Sequence, residues 1–364
     1  MQQKIGFIQL FYIMLGFEIG STVIFGLGAE AKQDAWLAIL AGMFCGLVLM
    51  WVYTKLFEHY PGHTLTQMIP KIVGRYIGYP LNAIYVLYFI YLASRVARDF
   101  GELVAGTILP KTPMLVVIGG FIAVIVYCLS GGIEVFGRTG EILLPFLFLI
   151  AIASWIIVYS SQIFDIARIT PIFETGIGTV WRAAFPIVVT FPFGEMVLFM
   201  MFWPMLHDLR KVKKLGMMVV LVSGILLTVN MINVISVIGP KWISDRTYPL
   251  LTVVKLASVG NFIERIDAVV IITMIIGGFF KVGSFIYGAA IGAAELFKLV
   301  SARSLVVLFG AIVVPLSLII ATSFMEHVEI GLKKVPLFLH VPLQIIIPFI
   351  LLVISAIRKR YRRT

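Results

Sequence analysis

Charge is scarce in this chain: Asp, Glu, Lys and Arg make up 13% of its 364 residues, while 60% are hydrophobic. A soluble domain of that length must keep a large surface in water, so the composition excludes one. Cysteine is scarcer still. Cys45 and Cys128 are the only two, and both fall inside long apolar runs. That argues against a disulfide framework or a zinc site and leaves the redox compartment unread. The five histidines, His59, His63, His207, His327 and His340, fall mainly in or near expected loops without metal-ligand spacing. There is no Walker-type phosphate loop and no catalytic constellation, so no enzyme, no catalytic residue, no metal and no cofactor are expected. No cleavable signal is expected either. The opening MQQKIGFIQLFYIMLG lacks a clear charged region and a small-residue cleavage site, and its apolar stretch outruns a signal core.

What the chain has is long apolar runs, with a mean hydropathy of +1.05. A membrane helix needs roughly 20 mostly apolar residues to cross a hydrocarbon core about 30 Å thick. A β-barrel would need short alternating segments instead. About ten spans follow from hydropathy: Phe7–Gly28, Trp36–Phe57, Gly78–Leu109, Met114–Leu129, Ile142–Tyr159, Trp181–Met205, Leu215–Ile238, Ile263–Leu296, Leu305–Ser323 and Phe338–Ile357. The fold class is all-α integral membrane. The net charge of +11 fits cytoplasmic loops and an anionic leaflet rather than nucleic acid. The cluster Arg210, Lys211, Lys213 and Lys214 and the tail RKRYRR, from Arg358 to Arg363, place both termini on the cytoplasmic side. The loop Gly239–Phe262, with Trp242, Asp245, Tyr248 and Pro249, is the longest outer connection. It is a gate, a docking surface or an ordinary loop.

Two spans are interrupted. The first reads MLGFEIGSTVIFGLG, punctuated by Gly16, Gly20, Gly26 and Gly28, with polar Glu18 and Ser21. The sixth reads FPIVVTFPFGEMVLFMMFWP, where Pro186 and Pro192 cannot donate backbone hydrogen bonds and Gly194 and Glu195 follow. The glycines of the first span serve either close packing or a break. The Pro-Phe-Gly-Glu run in mid-span favours a break, and such breaks are tolerated only inside protein or beside a wet cavity. Half-helix N-termini favour a carboxylate, and freed carbonyls favour an ammonium or a metal cation. A zwitterionic amino acid fits both; an uncharged polar solute fits less completely.

Lys281 sits near the middle of the eighth span. A charge there costs about 2.5–3.5 kcal/mol on insertion scales, so it should face the bundle interior. Its candidate partners are Glu195, Glu18 and freed carbonyls of the first span. In the third span Tyr85, Tyr88, Leu92 and Arg95 share a helix face and either line a pocket or pack. Arg98, Asp99 and Glu102 follow and can pair locally.

The runs FPFGEMVLFMMFWP and GGFFKVGSFIYGAA and the Gly-Ser break near the start resemble the B subunit of the spore nutrient germinant receptors. This is the spore permease family of the amino acid–polyamine–organocation superfamily, which is similar to LeuT-type transporters. The resemblance covers nearly the whole chain. It implies ten helices in two inverted five-helix repeats, at residues 6–160 and 176–358, with helices one and six broken. It implies a ligand pocket between spans one, three, six and eight, residence in the spore inner membrane, and receptor A and C subunits as partners beside a small nutrient and the lipid bilayer. The implied function is sensing a nutrient, typically an amino acid or a sugar, to start germination. Gly20 and Ser21 match the unwound part of the first span, and Phe193, Gly194 and Glu195 the break in the sixth. Lys281 and Ser284 fall where sodium transporters of the superfamily build a cation site. An ammonium there replaces the ion and disfavours sodium coupling. Candidate ligand contacts are thus Gly16, Gly20, Ser21, Leu92, Thr190, Phe193, Gly194, Glu195 and Ser284, with Lys281 and Glu18 as the cation-site substitute. The rival function is a secondary amino acid permease, proton-coupled or uncoupled; a structural anchor for other subunits is a third.

Overall fold

Hydrocarbon offers the backbone no hydrogen-bond partner, so a spanning segment must satisfy its own N–H and C=O groups. In the computed structural model the long apolar runs are accordingly helical. The structure describes residues 4–160, 162–174, 176–243, 246, 248–257 and 267–361. Asp245, the start of the eighth predicted span at Ile263, and the tail residues Arg362 and Arg363 lie outside the described residues.

The helices are α1 (Phe7–Ile19), α2 (Ala35–His59), α3 (Leu65–Val73), α4 (Arg75–Thr107), α5 (Met114–Ser130), α6 (Ile133–Ser160), α7 (Ile177–Ala183), α8 (Val212–Ile238), α9 (Pro249–Leu256), α10 (Asp267–Leu296), α11 (Arg303–Ile319), α12 (Phe324–Glu329) and α13 (Ile347–Tyr361). Among the described residues seven helical stretches are long and apolar enough to cross a membrane, and α1, α5 and α11 are shorter apolar helices. These ten segments follow the order of the ten predicted spans. The protein is an integral membrane protein.

Boundaries differ where polar turns extend an apolar run. The fifth predicted span begins at Ile133 rather than Ile142, because its first turns carry Glu134 and Arg138, which pair at 2.7 Å along the helix. The tenth begins far earlier than Phe338. The chain bends by 109° after α11 and is helical again from Phe324, continuing through π-helical turns at Ile330–Lys334 and Pro336–Ile346. Pro336 and Pro342 each lack an N–H, and the wider turn accommodates them.

Burial in lipid gives apolar side chains no advantage over burial in protein, so helices associate through small residues and polar contacts. α10 is the central example. A Cβ at Gly277 would lie 2.5 Å from the Cα of Gly20, and one at Gly16 would lie 2.8 Å from Cδ2 of Phe280. The outward faces carry exposed Leu149, Ile152, Ile156, Leu308 and Phe349, a surface suited to acyl chains. The interior holds Glu18, Glu195, Lys281 and Gln344, all buried.

Contacts at the two ends frame the bundle. At the N-terminal end Ile5 pairs with Leu206 in an isolated parallel bridge, and Ile5 N donates to Met205 O at 2.9 Å. On the same side Thr64 Oγ1 donates to Glu295 Oε2 at 2.6 Å, and Gln67 Nε2 donates to its Oε1 at 2.8 Å. At the opposite end Gln33 binds Glu174 and Asp165 N donates to Ser236 O at 2.9 Å.

The Gly277–Gly20 contact is backbone against backbone and cannot yield by a rotamer change. Gly277→Ala should therefore destabilise the protein by about 1–3 kcal/mol and lower its thermal unfolding midpoint in detergent. Gly120→Ala, where nothing lies within 4 Å, should leave it unchanged.

Candidate functional site

Both predicted interruptions are present. α1 stops at Ile19, and Gly20 takes φ 18°, ψ −127°, far from helical values. The chain then runs in turns to Gly28. In the sixth span α7 passes into π-helical turns at Ala184–Val188, with Phe185 extended at φ −111°, ψ 132°. It breaks at Phe191–Pro192 and resumes as a 3₁₀ helix, Phe193–Met201. Each break frees carbonyls that lipid cannot satisfy, and side chains from neighbours answer them. Asn230 Nδ2 donates to Val23 O at 3.2 Å. The Tyr53 hydroxyl donates to Gly194 O at 3.2 Å and to Gln344 O at 2.6 Å.

Between the breaks lies an ion pair. Lys281 Nζ is 2.7 Å from Glu195 Oε2, with the side chains 0% and 3% exposed. Of the three partners expected for Lys281, Glu195 is the one it meets. The ammonium also donates to the Thr22 hydroxyl at 3.4 Å. It stands 4.2 Å from the ring centre of Phe191 and 5.2 Å from that of Phe17. Aromatic faces attract a desolvated cation, and the pair offsets part of the large cost of removing both charges from water. Glu18 is buried nearby. Its Oε2 accepts from Ser223 Oγ at 3.2 Å, and its Oε1 has no hydrogen-bond partner among the described residues.

Beside Glu195 is a cavity of about 70 Å³ lined by Phe25, Leu92, Arg95, Asp99, Phe191, His327 and His340 among others. Its walls come from the unwound part of the first span, α4, the sixth span and the helical turns after α11. The expected pocket between spans one, three, six and eight is corrected accordingly: the tenth replaces the eighth, which contributes Lys281 behind Glu195. Arg95 Nη2 donates to His327 O at 2.6 Å and Nη1 to the Tyr91 hydroxyl at 3.4 Å. His327 Nε2 donates to Asp99 Oδ1 at 2.8 Å. Gln344 Nε2 donates to the Tyr88 hydroxyl at 2.7 Å and to His340 Nδ1 at 2.9 Å.

The sequence candidates divide. Leu92 and Glu195 line the cavity. Gly20 touches the stem of Lys281, since a Cβ there would lie 3.0 Å from Cδ. Ser21 and Ser284 are buried, and their hydroxyl oxygens have no hydrogen-bond partner among the described residues. Gly16 packs on Phe280, and Phe193 packs on Gly46. Thr190 Oγ1 donates back to Pro186 O at 2.8 Å, as a mid-helix threonine does when nothing else accepts from it. Gly194 faces the Gln344 side chain.

His327 and His340 are not loop residues: they are 1% and 3% exposed, inside the bundle. Asp99 pairs with His327 across helices rather than locally, while Arg98 does pair with Glu102 at 2.9 Å. The places of Arg95, Asp99 and His340 in the cavity wall, and of Gln344 beside His340, had signals in the sequence. Arg95 and Asp99, like His340 and Gln344, stand four residues apart within apolar helices, and polar groups at such depth need partners. Among the described residues no cluster of His, Cys, Asp and Glu suits a metal ion.

A helical bundle with its first and sixth spans broken around a midplane cavity is the architecture of LeuT-type membrane proteins. Two solved transporters share it: MhsT in complex with L-phenylalanine, with a TM-score of 0.68 at 12% identity over 98% of this chain and 99% of that one; and Mhp1, a nucleobase-cation-symport-1 family transporter with bromovinylhydantoin bound, with a TM-score of 0.62 at 13% identity over 89% of this chain and 74% of that one. Residues 4–325 match the family model described as spore germination protein, spore permease, and the chain belongs to that family. It is 33% identical to spore germination protein KB of Bacillus subtilis (strain 168), over 99% of this chain and 96% of that protein. It is 27% identical to spore germination protein B2 of the same organism, over 82% and 81%.

Removing one member of a buried ion pair leaves the other charged and unsolvated, at about 3–5 kcal/mol, whereas replacing both by apolar groups is often neutral. Lys281→Met should thus lower the unfolding midpoint in detergent strongly, and the double variant Lys281→Met/Glu195→Met should recover most of the loss. Equal midpoints for wild type and Lys281→Met would show that the pair contributes little.

Proposed function

We propose that this protein is the nutrient-sensing membrane subunit of a spore germinant receptor, binding a small amino acid in the cavity beside Glu195. Family membership supports the germination role. The observation that carries the ligand class is the charge around one small space. Arg95 supplies guanidinium N–H groups beyond those bonded to His327 and Tyr91, and Glu195 and Asp99 supply carboxylates. A guest carboxylate suits Arg95 and a guest ammonium suits Glu195. A volume of about 70 Å³ favours a short side chain.

On this reading Lys281 takes the place of a coupling cation between the first, sixth and eighth spans, and Glu18 lies within the same buried group. The two five-helix repeats are residues 6–160 and 176–358, each opening with a broken span. Both termini face the cytoplasm of a spore whose inner membrane holds the protein, and A and C subunits read the change in the broken helices. Ligand shifts that equilibrium only through different affinity for the two arrangements.

The fold shared with Mhp1 and MhsT supports a second reading, a permease for the same class of solute. Saturable accumulation of a radiolabelled amino acid by proteoliposomes containing this chain alone would favour it.

Spores carrying this subunit, tested against a panel of amino acids, should respond best to small side chains. They should lose at least about tenfold in sensitivity when the carboxylate is replaced by an amide, the order of one lost charge-assisted contact. Leu92→Trp, which fills the cavity, should abolish the response at normal protein level. An unaltered dose response in that variant would sink the assignment.

A further inference from the structure

A second and larger cavity, of about 410 Å³, lies apart from the site, between the end of α1, α6, α8, α9 and α10. Its wall is mostly apolar, built by Ile19, Leu147, Ala151, Leu226, Val254 and Val270 among others. Of its polar side chains, Ser154, Asn230 and Thr273 lie along the wall and donate to backbone carbonyls; two others mark one end. Tyr159 stands at the close of α6 and Asn233 in the last turns of α8, both at the bundle end opposite the N-terminus. The Tyr159 hydroxyl donates to Asn233 Oδ1 at 3.0 Å. Asn233 is buried, and its Nδ2 has no hydrogen-bond partner among the described residues. From Tyr159 inward to Leu147 the helix covers about 18 Å, a little more than one leaflet's share, about 15 Å, of the hydrocarbon core. The cavity opens sideways, because Ile152, Ile156 and Val229 both line it and stand exposed on the outer surface of the bundle.

A long apolar slot with an unsatisfied amide donor at its interfacial end has the chemistry of an acyl chain joined to an ester. We propose that the cavity binds one acyl chain of a glycerolipid from the leaflet opposite the termini, with the ester carbonyl accepting a hydrogen bond from Asn233 Nδ2. Ile19 and Val23 lie on either side of the break in α1, and both line the cavity. The bound chain therefore packs against the hinge of the first span, on the side where Asn230 holds Val23 O.

The test uses the purified full-length protein in detergent with two probes, diacyl phosphatidylglycerol and its diether analogue, which lacks ester carbonyls. Native mass spectrometry should find one diacyl lipid retained, severalfold more than the diether. Asn233→Leu should erase that difference. Ala151→Phe, which fills the slot from its wall, should lose the retained lipid while keeping the wild-type unfolding midpoint in lipid-free detergent. If Ala151→Phe fails to fold, Val229→Trp at the lipid-facing rim serves in its place. Retention undiminished in a folded slot-filling variant, or equal retention of diacyl and diether lipid by wild type, overturns the proposal.

Discussion

The contact between Lys281 and Glu195 is the one on which the centre of this molecule depends. At 2.7 Å it joins the eighth span to the start of the 3₁₀ half-helix in the sixth, at the depth where two spans have given up regular hydrogen bonding. A break inside a membrane is unstable unless its freed groups are engaged. Thr22 meets the ammonium, Phe17 and Phe191 face it, and Tyr53 binds Gly194 O. The pair therefore fixes the position of the sixth span's inner half and, through Thr22, that of the unwound first span. Neither break would keep its shape if Lys281 faced lipid.

Glu195 has two neighbours of different kinds. On one side is Lys281; on the other is the cavity, of which it forms part of the wall. Any cationic guest in the cavity competes with Lys281 for the same carboxylate, so occupancy and the geometry of the breaks are linked by electrostatics at one residue. The far ends of the broken spans are linked as well. The pairing of Ile5 with Leu206 and Met205 joins the start of α1 to the end of the sixth span, so the two inner halves are tied at the N-terminal face. On that face Thr64 and Gln67 hold Glu295 at the end of α10. A shift at the centre thus has two anchored routes to one side of the membrane.

The sequence made the breaks legible because glycine and proline have local consequences that tertiary structure cannot undo. Pro192 has no N–H to donate, and Glu195, buried in the same run, needs a cationic partner from another span. Lys281 was legible for the same reason: a charge in an apolar helix must turn inward. The tenth span was not, because His327, Lys333 and Lys334 dilute the hydropathy of turns that nevertheless remain helical. With that helix started too late, His327 fell outside the predicted spans, and the turns that carry it into the cavity wall were not anticipated. Most of the site candidates are neighbours in sequence around the two breaks, with Leu92 from the third span and Ser284 from the eighth, and a helical backbone sends neighbours in different directions. Leu92 and Glu195 reach the cavity, whereas Gly16, Thr190 and Phe193 are directed to Phe280, Pro186 and Gly46.

The arrangement of charge also bears on what kind of guest the proposed site selects. The cavity lies between two groups that are already engaged: Glu195 with Lys281, and Arg95 with His327 O beside the His327–Asp99 contact. A neutral guest satisfies neither centre better than the protein does. A guest with one charge draws on one centre and leaves an unbalanced charge in a medium where that is expensive. A zwitterion engages a carboxylate at one end and a guanidinium at the other and adds no net charge. Its two charged ends must be close together to fit about 70 Å³, as they are when an amine and a carboxylate share one carbon. On the proposed reading, selection would rest first on paired opposite charges at short separation and only then on the side chain, which would face Leu92, Phe25 and Phe191.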